Sequence, residues 1–504
     1  MVRQKILGSV AAVALTIGFP VAASADGDTL RIAHNSMPAQ FGMPYGTFSS
    51  HGAYPLGAVF DTVTYLAEDG SIKPGLALSW EIKEPTVWVL KLRPGVTYHN
   101  GRPFTADTIV ANVAALLNDP VVKTQQVPRQ LAGIPSARKI DNLTVEITTD
   151  KPDPVLDRRL SIMRPFEPEA WKDMGAEGYG RQPVGTGPYK ISSWDMNKIV
   201  GVACETCWRV PKIKNLDIRE VAELAARVQA LGSGQVDIAW SLDPDSRTAI
   251  EAAGNKVAMA LSTNSMGLVL RHMKEDSPVR DRRVRQALNY AYDKKSFIST
   301  VLGGATVPIG QVATPGMTGY FADIEAYPYD PAKAKELLAA AGYPNGFNMV
   351  AEMVPNEGDN RDTYQAMAND LKRVGVNLEL RAVAVPALVQ KILGQDKWSG
   401  DAFGMYYEGY PSNDLARPMN THSCLFSNKH TCFDEIMPTI VAMNTEMDPK
   451  KRLELQRKLA QFYHDEAPSI FSHVRVDVDG LAKNLQNYKV INRAVNYADL
   501  TFAR

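Results

Sequence analysis

The chain has 504 residues, 45% of them hydrophobic and 22% charged, enough for two or three domain cores. Its 55 basic and 55 acidic residues cancel, which leaves no electrostatic footprint for nucleic acid. Low-complexity and repeat architectures are absent, so the composition is that of an ordinary globular protein.

In chain order, the first element is a leader. Arg3 and Lys5 precede an apolar run to Ala23, and Ala23-Ser24-Ala25 offers small residues to a peptidase before Asp26. That order is a secretory signal peptide. Gly18 and Pro20 interrupt the run a membrane anchor would keep, and no Cys follows it to carry a lipid. Cleavage after Ala25 leaves residues 26–504 with 53 basic and 55 acidic residues, a formal charge of −2. The predicted location is outside the cytoplasm.

"TVWVLKL" (Thr86–Leu92) alternates like a strand, with Val87, Val89 and Leu90 or Leu92 competing for the buried face. Pro94-Gly95 and Asn100-Gly101 then supply turn chemistry. Thr105 is a predicted N-cap for a helix whose apolar face is Ile109, Val113, Leu116 and Leu117, stopped at Asp119-Pro120. "VACETCWRV" places Cys204 and Cys207 three residues apart, with Pro211 and strand-like alternation behind them rather than a helix. A redox-active C-x-x-C usually opens a helix that lowers the thiol pKa, so an oxidised staple is expected at a strand end. Further on, Asp281 caps a predicted helix with Val284, Ala287, Leu288 and Ala291 on one face; Arg280, Arg282, Arg283 and Arg285 are read as its solvated face. Asp330, Pro331 and Gly342 bracket the next helix. "FNMVAEMV", "YQAMANDLKRVG" and "VNLELRAVAV" then give β-α-β order.

"THSCLFSNKHTC" holds Cys424 and Cys432 beside His422 and His430. Two Cys and two His could bind zinc; in an oxidising compartment a second disulfide is the favoured reading, with no metal and no cofactor expected. No G-x-S-x-G, H-E-x-x-H, phosphate loop or dinucleotide fingerprint is present, so an enzyme is not expected.

Six stretches taken together resemble the solute-binding proteins of bacterial ABC importers, in the large peptide- and nickel-type family 5: "PGLALSWEI", "WVLKLRPGVTYHNGRPFTADTIVANV", "PVGTGPYKISSW", "VQALGSGQVDIA", "DRRVRQALNYAYDKKSFI" and "YPYDPAKAKELLAAAGYPNGF". The resemblance implies an α/β, two-lobed periplasmic binding protein clamp of the cluster C type, with an additional inserted domain in the first lobe. Mapped here, lobe I is 26–60, 186–266 and 476–504, the insert 61–185 and lobe II 267–475, with crossings near Gly267 and Val476. It also implies a monomer that captures a short-peptide or peptide-like ligand between the lobes and delivers it to an inner-membrane ABC permease. A non-peptide solute (opine-like, saccharide or metal chelate) is the alternative binder; a thiol–disulfide oxidoreductase using Cys204 and Cys207 is the alternative of another class.

Carried over residue by residue, the ligand-facing strand is "GMYYEGYPSND". Tyr406, Tyr407 and Tyr410 are candidate pocket walls. The family's amine-holding Asp falls at Gly409, so Glu408 is its candidate substitute. Ser412-Asn413 stand where the family has Asp-Pro, and Asp414 stands where nickel-type members place a His, which argues against nickel. Arg164 and Arg361 suit an anionic ligand group, because guanidinium matches carboxylate with two parallel bonds; a surface salt bridge is the plain alternative for each. His51 and Tyr54, in "TFSSHGAY", complete the set.

Overall fold

The computed structural model describes residues 27–67, 69–355, 360–392, 394, 398–491 and 494–503. The leader lies outside them. Among the described residues no helix is long and apolar enough to cross a membrane.

The central element is an 11-stranded mixed sheet. Two long strands in its middle, Lys256–Leu270 and Ser469–Leu481, run antiparallel. On one side stand Ile238–Leu242, Thr29–His34, Asn215–Glu220, Lys198–Ala203 and Tyr189–Trp194; on the other stand Ala402–Gly404, Phe347–Met353 and Val376–Ala382. The burial of Lys256–Leu270 changes along its length. It is exposed or half-buried to Leu261 and buried from Ser262 on, as expected of a strand that enters a sheet covered on both faces. The ladder between the long strands slips in the same place, between Leu261 and Ser265 and again before Gly267. Such slips bend both strands. Gly267 is required there, since a Cβ would meet Ser469 Oγ at 2.7 Å and Ile470 O at 2.9 Å.

The cores divide at the same bend. Leu30, Ile32, Leu216, Ile238 and Trp240 belong to one cluster. Met266, Leu268, Val284, Leu288 and Met349 form a second, and Val269, Phe403, Leu459 and Phe471 a third, on the opposite face of the sheet. The first cluster extends into a separate four-stranded antiparallel sheet in the order Ala77–Glu84, Val87–Leu92, Thr144–Thr148, Ser136–Asp141. Trp88, Leu90 and Leu92 join that core, which settles the face of the second of these strands.

Helix Ala106–Asn118 has the expected Thr105 cap, closed into a capping box by Thr108. Ile109, Val113 and Leu116 are buried, but Leu117 is 46% exposed and outside the apolar stripe. Asp281 caps Arg282–Ala291 through the Arg283 N–H. Arg285 departs from the solvated-face expectation: it is buried, pairs with Glu466 at 2.7 Å and donates to the Val279 and Arg280 carbonyls. Asp330, Pro331 and Gly342 bracket Pro331–Ala340 as expected, with Gly342 at φ +94 just past its end. Phe347–Met353 and Val376–Ala382 pair in parallel around helix Asn360–Lys372. Both cysteine pairs are closed, Cys204–Cys207 just after a strand and Cys424–Cys432 in a loop.

Candidate functional site: a clamp between two lobes

Strand Tyr407–Glu408 adds to Lys256–Leu270 opposite Ser265 and Asn264, beside the bend. Strand alternation then sorts the tyrosines. Tyr407 is fully buried and packs on His422 and Phe471, so it is a core residue. Tyr406 is half-buried, with the Arg475 guanidinium 4.5 Å from its ring centre. Glu408 pairs with Arg417 at 3.2 Å. Its carboxylate already has a cation, which counts against the substitute role for a ligand amine. The neighbouring Gly409 has no room for a side chain, since a Cβ would meet Met317 Sδ at 2.6 Å and Thr263 O at 2.8 Å.

Tyr410 precedes a cis peptide to Pro411, and its ring stacks on Phe48 with centres 6.2 Å apart. Phe48 lies just before helix Ser50–Val59, on the other side of the bend from Tyr410. The two halves therefore meet here. Arg158 adds to the contact, donating to Gly70 O at 2.9 Å and Ser412 O at 3.2 Å.

Asn413 sits at φ +46, where Asn is tolerated, and its carbonyl accepts from Thr318 N. Asp414 turns inward. It is fully buried and accepts from Arg452 at 2.6 and 2.7 Å, Gln456 at 3.1 Å and Ala416 N at 2.9 Å. It is a structural ion pair.

Arg164 follows the turn Leu160–Ile162 and is 4% exposed. Its Nη1 donates to Thr47 O at 3.3 Å, and its neighbours are the phenols of Tyr410 and Tyr45; it makes no ion pair with any described residue. Burial lowers its pKa and the two phenols oppose that shift, but a guanidinium remains charged throughout. It lines a small pocket with Tyr65, Ser161 and Tyr410, and Ser161 Oγ is buried there without a hydrogen bond to any described residue. A buried cation with no carboxylate, beside an unsatisfied hydroxyl, is an arrangement an anion completes.

The remaining predicted residues lie elsewhere. Tyr54 is buried against Trp240, ring centres 5.0 Å apart, within the first core. Arg361 is exposed in the first turn of Asn360–Lys372. The His51 side chain lies outside the described residues. His422 and His430 face each other, with ring nitrogens 3.1 Å apart, and burial holds the pKa of His430 down to about 4. With both sulfurs of the loop in a disulfide, the zinc-type set is not formed. Phe48, Ser161, Arg417 and Arg475 were missed; each is an unremarkable residue in sequence whose place depends on a distant segment.

The family model for bacterial extracellular solute-binding proteins, family 5 Middle, matches residues 71–430. The chain belongs to this family. It is 26% identical over 449 residues to the glutathione-binding protein GsiB of Escherichia coli (strain K12), covering 84% of this chain and 85% of that one. The fold is that of the Listeria monocytogenes substrate-binding protein CtaP, with TM-score 0.85, 19% identity and coverage of 95% and 100%. It is also that of Helicobacter pylori DppA in complex with peptide STSA, with TM-score 0.77, 19% identity and coverage of 94% and 98%. The fold of this family is two-lobed, and the Phe48–Tyr410 and Arg158–Ser412 contacts join segments on either side of the bend.

Proposed function

We propose that this protein is the periplasmic binding component of an ABC importer, with a short anionic peptide or peptide-like solute as its ligand. The observation that carries the reading is Arg164, a buried guanidinium at the lobe junction with no ion pair to a described residue. A ligand carboxylate there forms charge-assisted bonds where water is excluded. The pairing of Glu408 with Arg417 makes recognition of an anion the stronger element of the site. Glutathione, named for the GsiB relatives, is an anionic peptide-like molecule and a fitting first probe.

In this reading the leader is cleaved after Ala25 and the mature chain acts as a monomer. Lobe I comprises 26–60, 186–266 and 476–504, the insert 61–185 and lobe II 267–475; closure on solute presents the clamp to a membrane permease. The disulfide Cys204–Cys207 is a staple, and no thiol chemistry is assigned to it.

The test is titration calorimetry of periplasm-purified protein with glutathione and with alanine dipeptides and tripeptides, after native mass spectrometry of whatever solute it retains. Arg164→Met is expected to weaken binding of an anionic peptide by a factor of about 30 or more, since stranding a buried charge partner costs roughly 2–5 kcal/mol. Unchanged affinity in that variant, or retention of a neutral sugar alone, rejects the reading.

A further inference from the structure

A groove of about 680 Å³ runs between the inserted sheet region and the second lobe, outside the Arg164 pocket. Its volume is in the range of sites that enclose small ligands. One wall carries Arg129, Asp150 and Lys151; the other carries Pro411, Leu425 and Val441. These walls differ in chemistry. Arg129 and Lys151 are exposed and make no ion pair with any described residue, whereas Leu425 and Val441 are 45% and 52% exposed and apolar.

The groove adjoins the site at Arg164 along the chain. Tyr410 lines the Arg164 pocket, and Pro411 and Ser412 line the groove. The two cavities thus lie on either side of a loop only about 7 Å of chain in length. Arg417 belongs to the groove wall and also donates to Tyr410 O and Glu408. Arg158 bonds Ser412 O at the same junction. Its walls belong to the two parts of the chain that meet there.

We propose that this groove is a second binding subsite, which receives the far end of an extended peptide-like solute whose carboxylate is held at Arg164. The proposal rests on the reading of Arg164 given above. Leu425 and Val441 cover an apolar side chain near the solute's amino end, Arg129 and Lys151 take an acidic one, and Asp150 meets the amine. Five extended residues reach roughly 17 Å, enough to pass the loop.

The test compares Ala-Ala, Ala-Ala-Ala and Glu-Leu-Ala-Ala-Ala by calorimetry on the intact mature protein and on Val441→Asp and Lys151→Glu, both changes at exposed side chains. The five-residue peptide is expected to lose about tenfold in affinity in each variant, the equivalent of one lost apolar or charged contact, while Ala-Ala shifts by less than about twofold. Equal losses at every length, or none at any, overturn the subsite and leave Arg164 standing. If the wild type binds none of these peptides, the peptide reading and the subsite fall together. In Arg164→Met all lengths should weaken alike, which separates the two claims.

Discussion

At the scale of the residue, Asp414 and Arg164 show how burial assigns roles that sequence leaves open. Both are charged and both looked suited to a ligand. Asp414 has four hydrogen bonds within the protein, two of them from Arg452, so nothing remains for a solute to add. Among the described residues, Arg164 has a carbonyl and phenols but no carboxylate. Replacing Asp414 by Asn strands the Arg452 charge in the core, and breaking a buried pair this way costs about 3–5 kcal/mol. Urea unfolding of Asp414→Asn should show that loss, while its solute affinity at 15 °C stays within about threefold of wild type. A large drop in affinity with unchanged stability would return Asp414 to the ligand site. Neither outcome was readable beforehand, because Arg452 stands 38 residues from Asp414 and no local rule pairs them.

At the scale of the element, the sequence was informative wherever the governing physics is local. Asp281 and Asp330 cap their helices through N–H groups two and three residues on. Gly342 follows the second helix at positive φ, and Cys204–Cys207 closes after a strand. Each of these depends on fewer than ten residues. Tyr407 was legible only as one of two faces, since alternation gives the period of a strand but not which side the next lobe covers. Loop length also predicts how much each disulfide stabilises. With separations of 8 and 3 residues, the chain-entropy relation gives about 2.5 kcal/mol for Cys424–Cys432 and about 1.6 kcal/mol for Cys204–Cys207. Paired Cys→Ser changes, followed by denaturant unfolding, should preserve that order. Equal affinity for solute in wild type and Cys204→Ser/Cys207→Ser would accord with a staple; a redox role predicts instead that the pair exchanges readily with mild thiol reductant.

At the scale of the whole molecule, a buried aspartate on one side of the bend and buried histidines on the other titrate in opposite senses. Asp479, on the first-core half of Ser469–Leu481, accepts from the Tyr488 hydroxyl at 2.7 Å and Ser241 N at 3.1 Å, and burial pushes its pKa up to about 7. In the folded protein it therefore keeps a proton that the unfolded chain gives up near pH 4, so stability falls as pH rises from about 4 to 7, by up to about 1.4 kcal/mol per unit. His272 and His430, in the second half, are held down to about 4 by burial, and His422 lies well below its usual value for the same reason. Unfolding lets them take up protons below about pH 6.5, so that half loses stability as pH falls, by roughly 3 kcal/mol per unit if two or three protons are involved. The second lobe should thus be the first to unfold at pH 5, and the gap should narrow towards pH 8. Trp398 is the one tryptophan between positions 267 and 475, so the difference in fluorescence between wild type and Trp398→Phe isolates its signal in a urea titration. Asp479→Asn, which cannot ionise, should raise stability at pH 8 and leave it nearly unchanged at pH 4. Coincident transitions at every pH would mean that the contacts at Phe48–Tyr410 and Arg158–Ser412 couple the two sides into one cooperative unit, whose stability would then carry the sum of the opposed titrations.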